Sequence, residues 1–239
     1  AACAAGVLVL VRAIGRVSDV VDVEVDLVFS LAVDLLVHLR MTGQFHWLAS
    51  DQAPDPHDRL ILTLDDGRRL GFRDTRKFGR WTLVPNAETH LAHLGPEPLH
   101  RTFSPRLLHD RLAGRLGRLK SLLLDQRCVA GLGNIYADEA LWAARLHPER
   151  RAASLTPPEI RALHRAIRAV LRLGVRNRGT SLGAGKTNYT TPDSRPGRNQ
   201  NAVQVFRRTH GPCPACGTPI RRILVGQRST HFCPRCQRE

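Results

Sequence analysis

The sequence lacks an apolar run long enough to cross a bilayer. The longest, Val7 to Val11, falls far short of the roughly 20 residues that a spanning helix needs. No basic n-region precedes it, so the expectation is a cytoplasmic protein with no membrane partner. Glycine (19) and proline (15) are too sparse in 239 residues for a low-complexity or collagen-like chain. Acidic residues are also in short supply: 21 Asp and Glu face 36 Lys and Arg, a formal charge of +15. Such an imbalance is unlike a typical metabolic enzyme and points to a polyanionic partner. What is present suits a folded protein, with 42% hydrophobic and 24% charged residues. At roughly 100–200 residues per domain, the length gives one large domain or two ordinary ones.

The positive charge gathers toward the end. Residues 1–50 carry 3 Arg against 5 acids, whereas residues 178–239 carry 11 basic groups against 2 acids. A merely solvated surface mixes both signs, so this quarter reads as a nucleic-acid-facing surface. It also holds Cys213, Cys216, Cys233 and Cys236 in the pattern C-x2-C-x16-C-x2-C, a spacing that favours a four-thiolate zinc site over disulfides in a reducing compartment. Four protein thiolates leave no open coordination position, so the zinc is structural. It would hold a short two-stranded ribbon with Ile220, Ile223 and Val225 at its apolar positions and Arg221, Arg222 and Arg228 available to phosphates. Cys3 and Cys128 read as structural thiols.

Three regions follow from patterning. From Val7 to Val84 the chain favours strands, with β-branched runs such as Val20 to Val28 and Leu35 to Leu39. Leu60 to Leu64 and Leu70 to Phe72, on either side of Asp65-Asp66-Gly67, read as a hairpin. Pro85, Asn86, Gly95, Pro96 and Pro98 mark a linker. Helices follow, one capped by Ser104 before Pro105 and another opened by the capping box Thr156-Pro157-Pro158-Glu159, with Ile160, Leu163, Ile167, Val170 and Leu171 on its core face. Between them, two helices meet at Val129-Ala130-Gly131-Leu132-Gly133-Asn134, where both glycines permit left-handed backbone and Asn134 caps the second helix. Residues 178–206 read as a mobile loop, either a tether or a cover for a ligand.

These pieces resemble formamidopyrimidine-DNA glycosylase and its relative endonuclease VIII, base-excision repair enzymes. The resemblance runs from about Leu35 to Glu239 and is carried by three stretches in the family's order. They are the linker His93-Leu94-Gly95-Pro96-Glu97-Pro98-Leu99, the segment Leu122 to Pro148 that is similar to the helix–two-turn–helix, and the finger Gly226 to Cys236.

The resemblance implies an α+β fold: an N-terminal β-sandwich over 1–92 with an atypical 1–30, a linker at 93–102, and a helix–two-turn–helix domain over 103–177. A lesion-capping loop at 178–206, containing Thr187-Asn188-Tyr189, and a zinc-finger hairpin at 207–239 complete it. It implies a monomer that binds double-stranded DNA with oxidised bases in the cleft between domains, on the bacterial nucleoid. His57, Arg76, Lys120, Asn134 and Arg228 would contact the DNA, Arg228 also serving the second elimination step. Met41, Arg76 and Phe78 would fill the void left by the extruded base; residue type alone would put Met41 and Phe78 in a sheet core.

The implied activity is excision of 8-oxoguanine and formamidopyrimidines followed by strand cleavage through an imine. The family's nucleophile is the amine of an N-terminal proline, followed by a glutamate and assisted by a hairpin lysine. The sequence begins Ala1-Ala2-Cys3, its first glutamate is Glu24 and its first lysine is Lys77. An amine at Ala1 can in principle add to an abasic-site aldehyde, without the roughly 100- to 10,000-fold help of an acid–base partner. Two readings stay open: a truncated or misread start, and a relative that binds damaged DNA without cutting it. A zinc-ribbon RNA-binding or ribosome-associated protein would share the charge and the cysteines but has no need of the helix–two-turn–helix.

Overall fold

The computed structural model describes residues 8–11, 16–17, 27–28, 34–64, 66–183 and 189–238. Ala1, Cys3, Asp65, Thr187 and Asn188, all singled out above, lie outside the described residues, as does most of 12–33. The chain divides into two compact units, one of residues 1–92 with 177–200, the other of residues 93–176 with 201–239.

The first unit is built of strands β1 (Leu8–Val11), β2 (Arg16–Val17), β3 (Leu27–Val28), β4 (Asp34–His38), β5 (Gln44–Leu48), β6 (Asp58–Thr63), β7 (Arg69–Arg73) and β8 (Arg80–Val84), followed by the short helix α1 (Ala87–Leu91). Two antiparallel three-stranded sheets, in the orders β1-β4-β8 and β5-β7-β6, account for most of it. Side chains alternate faces along a strand, and β4 shows the consequence. Its Leu35 and Val37 enter a cluster with Phe45 and Phe72 of the other sheet, while Leu36 turns to the opposite face and packs with Val84 and Ala87. Phe45, Phe72 and Trp81 close the sandwich core with tilted and edge-on contacts, their ring centroids 5.2–5.7 Å apart. The hairpin expected around Gly67 is β6–β7, with Ile61 opposite Gly71, and Gly67 takes the left-handed conformation its turn needs (φ +80).

The described parts of 177–200, residues 177–183 and 189–200, are more firmly held than a mobile loop. Trp47 N–H donates to Pro192 O (3.1 Å), Asn199 N–H to Gly179 O (3.0 Å) and Gly197 N–H to the Ser181 hydroxyl (2.8 Å). Polar, glycine-rich composition signals mobility only where the backbone groups lack partners, and here both described limbs of the loop have them.

The second unit holds α2 (Pro105–Leu112), α3 (Leu119–Leu124), α4 (Asn134–Ala143), α5 (Pro157–Arg176) and the hairpin β9 (Arg221–Val225) and β10 (Arg228–Phe232). Ser104 caps α2 through Leu107 N–H (3.1 Å), and in the capping box of α5 the Glu159 carboxylate accepts from both Thr156 N–H and Thr156 Oγ1 (2.8 Å each). Ile160, Leu163, Ile167 and Leu171 bury one face of α5. The turn between α3 and α4 is tied by Gln126, whose Oε1 accepts from Gly131 N–H (2.7 Å) and whose Nε2 donates to Leu124 O and Leu132 O (3.2 Å each). Gly131 alone of its two glycines is left-handed (φ +73). Asn134 is not the cap: Gly133 occupies that position, and Asn134 is the first helical residue with its side chain turned elsewhere.

Candidate nucleic-acid interface

In the second unit the four finger cysteines bring their Sγ atoms within 4.8 Å of one another. The Cys213–Cys236 and Cys216–Cys233 separations are 3.9 and 3.5 Å. Four thiolates about 2.3 Å from one tetrahedral zinc lie roughly 3.8 Å apart, so the donor set fits that ion. Hydrogen bonds from Thr218 draw the Cys216 thiol down to about 6, while burial and the neighbouring sulfurs push Cys236 up to about 12. Val205, Ile220 and Trp142 pack against the cluster.

Arg228 opens β10 directly after a two-residue turn in which Gly226 and Gln227 both have positive φ (56 and 61). It is exposed, and it makes no ion pair among the described residues. Next to it, Ser229 O accepts from Asn134 Nδ2 (3.0 Å) and from Lys120 Nζ (2.9 Å). Asn134 Oδ1 is buried without a hydrogen-bond partner. Lys120 is turned fully inward. Its ammonium also donates to Thr230 Oγ1 (2.8 Å) and pairs with Asp138 Oδ1 (2.6 Å), and neither side chain of that ion pair has exposed surface. Burial lowers the Lys120 ammonium from the ordinary lysine value, against the pull of Asp138. Asp138 Oδ2 accepts from His231 N–H (2.9 Å) and lies 3.1 Å from His231 Nδ1. Asp138 and His231 are not evident from sequence: their signal is only an acid and a histidine inside motifs read for other residues.

In the first unit Met41 and Phe78 are 73% and 52% exposed, which removes the sheet-core reading for both. They stand on two neighbouring turns. Arg76 bridges them, with its guanidinium 4.7 Å from the Phe78 ring centroid and Nη1 3.2 Å from Met41 Sδ. His57 is half exposed, and Asp55 Oδ1 lies 3.1 Å from its Nδ1. Arg73 reaches both Asp55 (3.4 Å) and the fully buried Asp58 (3.5 Å), fixing the base of that turn. Tyr189, at the described edge of the loop, packs near Gly179.

Comparison with known proteins decides the family. The Formamidopyrimidine-DNA glycosylase N-terminal domain matches residues 11–81, the Formamidopyrimidine-DNA glycosylase H2TH domain residues 94–185, and the zinc finger found in FPG and IleRS residues 211–238. The chain is 47% identical over 205 residues to formamidopyrimidine-DNA glycosylase of Protochlamydia amoebophila, covering 86% of this chain and 74% of that one.

The chain belongs to the formamidopyrimidine-DNA glycosylase family.

The Symbiobacterium thermophilum member is 49% identical over 217 residues, 88% of this chain and 70% of its own. Among solved structures, MutM (Fpg) from Thermus thermophilus superposes with a TM-score of 0.77 at 46% identity, covering 86% of this chain and 76% of that one. Lactococcus lactis Fpg in complex with abasic-site DNA gives 0.77 at 34% identity, with 87% and 76% covered. The family's α+β fold, with a stranded N-terminal domain, a helical H2TH domain and a zinc finger, is the fold described here. The family's finger and the four-cysteine cluster together assign one structural zinc.

Proposed function

We propose that this chain is a base-excision repair glycosylase with abasic-site lyase activity, acting as a monomer on duplex DNA and releasing oxidised purines such as 8-oxoguanine and formamidopyrimidines. The observation that carries the reading is the protruding cluster of Met41, Arg76 and Phe78 in a member of this family. Extruding a base leaves a hole whose unstacking costs a few kcal/mol. A flexible thioether, an aromatic ring and a guanidinium held together outside the core suit the filling of that hole and contact with the orphaned base.

The other residues divide by chemistry. In the first unit, Asp55 orients the His57 ring at Nδ1, and as an imidazolium that ring presents Nε2–H to a phosphate. In the second unit, the exposed Arg228 suits bidentate phosphate contact and the later elimination step. Asn134 supports Arg228 through Ser229 and supplies an N–H at the start of α4 for the neighbouring phosphate. Lys120 serves by holding this hairpin in place, its ammonium being fully committed inside the protein. The zinc supplies no chemistry to the substrate; its four thiolates hold the ribbon that carries Arg228. The nucleophile in this reading is the N-terminal amine, which attacks C1′ as the damaged base leaves with the glycosidic electron pair; the C1′–O4′ bond then opens, O4′ taking up a proton as the nitrogen gives one up, and the resulting imine permits strand elimination.

The test is incubation of the chain with a duplex carrying 8-oxoguanine or an abasic site in the presence of borohydride, with binding measured in parallel. A covalent adduct mapping to the amino terminus, with strand cleavage in the absence of borohydride, is the expected result. Tight lesion binding with neither adduct nor cleavage, by protein whose mature amino terminus has been determined, would overturn the enzyme reading in favour of a damaged-DNA-binding protein. A preference for RNA over duplex DNA would remove both.

A further inference from the structure

The two turns that carry Met41 and the Arg76–Phe78 pair are joined by one buried carboxylate. Asp74 is 1% exposed. Its Oδ1 accepts from the Thr42 hydroxyl, beside Met41, and from Arg76 N–H (3.3 Å), while its Oδ2 accepts from Gly79 N–H (2.6 Å). Thr42 Oγ1 itself receives Arg76 N–H at 3.3 Å. The backbone of the same residue reaches a third segment: Asp74 N–H donates to His57 O (3.0 Å) and Asp74 O accepts from Arg59 Nε (3.0 Å). Local geometry leaves little room to rebuild the turns. A Cβ on Gly43 would come within 2.3 Å of Leu39 O, and one on Gly79 within 2.6 Å of the Phe72 ring.

We propose that Asp74, through Thr42, is the positioning residue that makes Met41, Arg76 and Phe78 insert as one rigid unit. The proposal rests on the DNA-glycosylase reading above and deepens it. Three exposed side chains on two turns would otherwise each lose conformational freedom independently on entering the base stack. A carboxylate that fixes both backbones before DNA arrives removes part of that loss. Charge-assisted hydrogen bonds from N–H and O–H groups to a buried carboxylate are also stronger than neutral ones, so the latch holds in the free protein. Asp74 is buried and Thr42 half-buried with its hydroxyl on Asp74, so their role is to act through the wedge.

The test uses the full chain and a duplex in which 2-aminopurine sits opposite a tetrahydrofuran abasic analogue, so that insertion of the wedge changes fluorescence without requiring turnover. Wild-type insertion establishes the DNA reading; if the wild type does not insert, that reading fails, and the proposal with it. Thr42→Val keeps the side-chain shape and removes only the hydroxyl, leaving Asp74 its two backbone donors. It is expected to slow insertion about tenfold while thermal stability changes by no more than a few degrees. Asp74→Asn is expected to slow it further. In a Met41→Ala background the Thr42→Val effect should shrink to within about twofold, because the Thr42 hydroxyl ties the Met41 turn to Asp74, while Asp74 keeps Arg76 N–H and Gly79 N–H as donors for the other turn. Wild-type insertion rates in Thr42→Val, or an undiminished tenfold effect in the Met41→Ala background, would overturn the proposal even if Asp74→Asn fails to fold.

Discussion

Lys120 Nζ and Asp138 Oδ1 lie 2.6 Å apart with no solvent-exposed surface on either side chain, and this pair fastens α3 to α4 beneath the finger hairpin. Asp138 simultaneously holds His231, and Lys120 holds Ser229 and Thr230, so three consecutive residues of the hairpin's second strand hang on one ion pair. Asp138→Asn leaves the buried ammonium with only the neutral acceptors Ser229 O and Thr230 Oγ1 and no counter-charge, and is expected to destabilise the second unit by about 3–5 kcal/mol. Lys120→Met should cost less, because the Asp138 carboxylate keeps His231 N–H as a donor. Urea unfolding of the two variants orders them, and equal losses would contradict the hub.

Removal of the metal should collapse the finger specifically. Structural zinc supplies on the order of 10–16 kcal/mol of apparent binding free energy to small zinc folds at neutral pH, far more than the hairpin β9–β10 can replace. One zinc per chain is the expected content by atomic absorption. Chelation or Cys236→Ser should abolish duplex binding while the β-sheet unit still melts cooperatively. A stoichiometry of zero with full binding would refute the structural role.

How much of this is legible in the sequence depends on the range of the interaction. Local signals suffice for the spacing of Cys213, Cys216, Cys233 and Cys236, the hairpin at Gly67, the Ser104 cap and the Thr156–Glu159 box, since each involves residues close in sequence or a fixed motif. What patterning misses joins distant segments. Nothing near Asp74 announces that its carboxylate will meet Thr42, thirty-two positions away, and nothing near Asp138 announces His231. Residue type and position mark Asn134 as a cap, yet its side chain goes to Ser229, ninety-five positions on. Composition marks 178–206 as mobile, but hydrogen bonds to partners such as Trp47 and Gly179 hold its described residues on either side of 184–188.

The capping box of α5 carries a pH signature. Burial raises the Glu159 carboxyl, but hydrogen bonds from Arg150 and Thr156 outweigh it and leave the group below the ordinary glutamate value. A depressed folded value means that the stabilisation is present in full above the unfolded value, roughly 4.3, and is lost as pH falls through the folded one. Glu159→Gln should therefore cost about 1 kcal/mol at pH 7, a few degrees in Tm, and progressively less in acid. Parallel melting curves for the two proteins with a constant gap from pH 7 down to pH 3 would contradict the assignment.

Arg228 and Lys120 are both basic and both adjoin Ser229, yet they should respond oppositely to the same two measurements. Arg228 is exposed and makes no ion pair among the described residues, so Arg228→Ala removes nothing that holds the fold and should leave Tm within a degree or so of the parent. On duplex DNA it should weaken binding on the order of tenfold for every sequence and lower the slope of log K against log salt by about 1, as the loss of one phosphate contact does. Lys120→Met should instead leave the salt slope unchanged and lower Tm, because its charge is spent on Asp138 and never reaches a phosphate. Binding measured between about 50 and 200 mM salt, at a temperature well below both melting points, separates the two effects. A reduced slope for Lys120→Met would mean that its ammonium leaves Asp138 for the DNA, and an unchanged slope for Arg228→Ala would remove that residue from the interface.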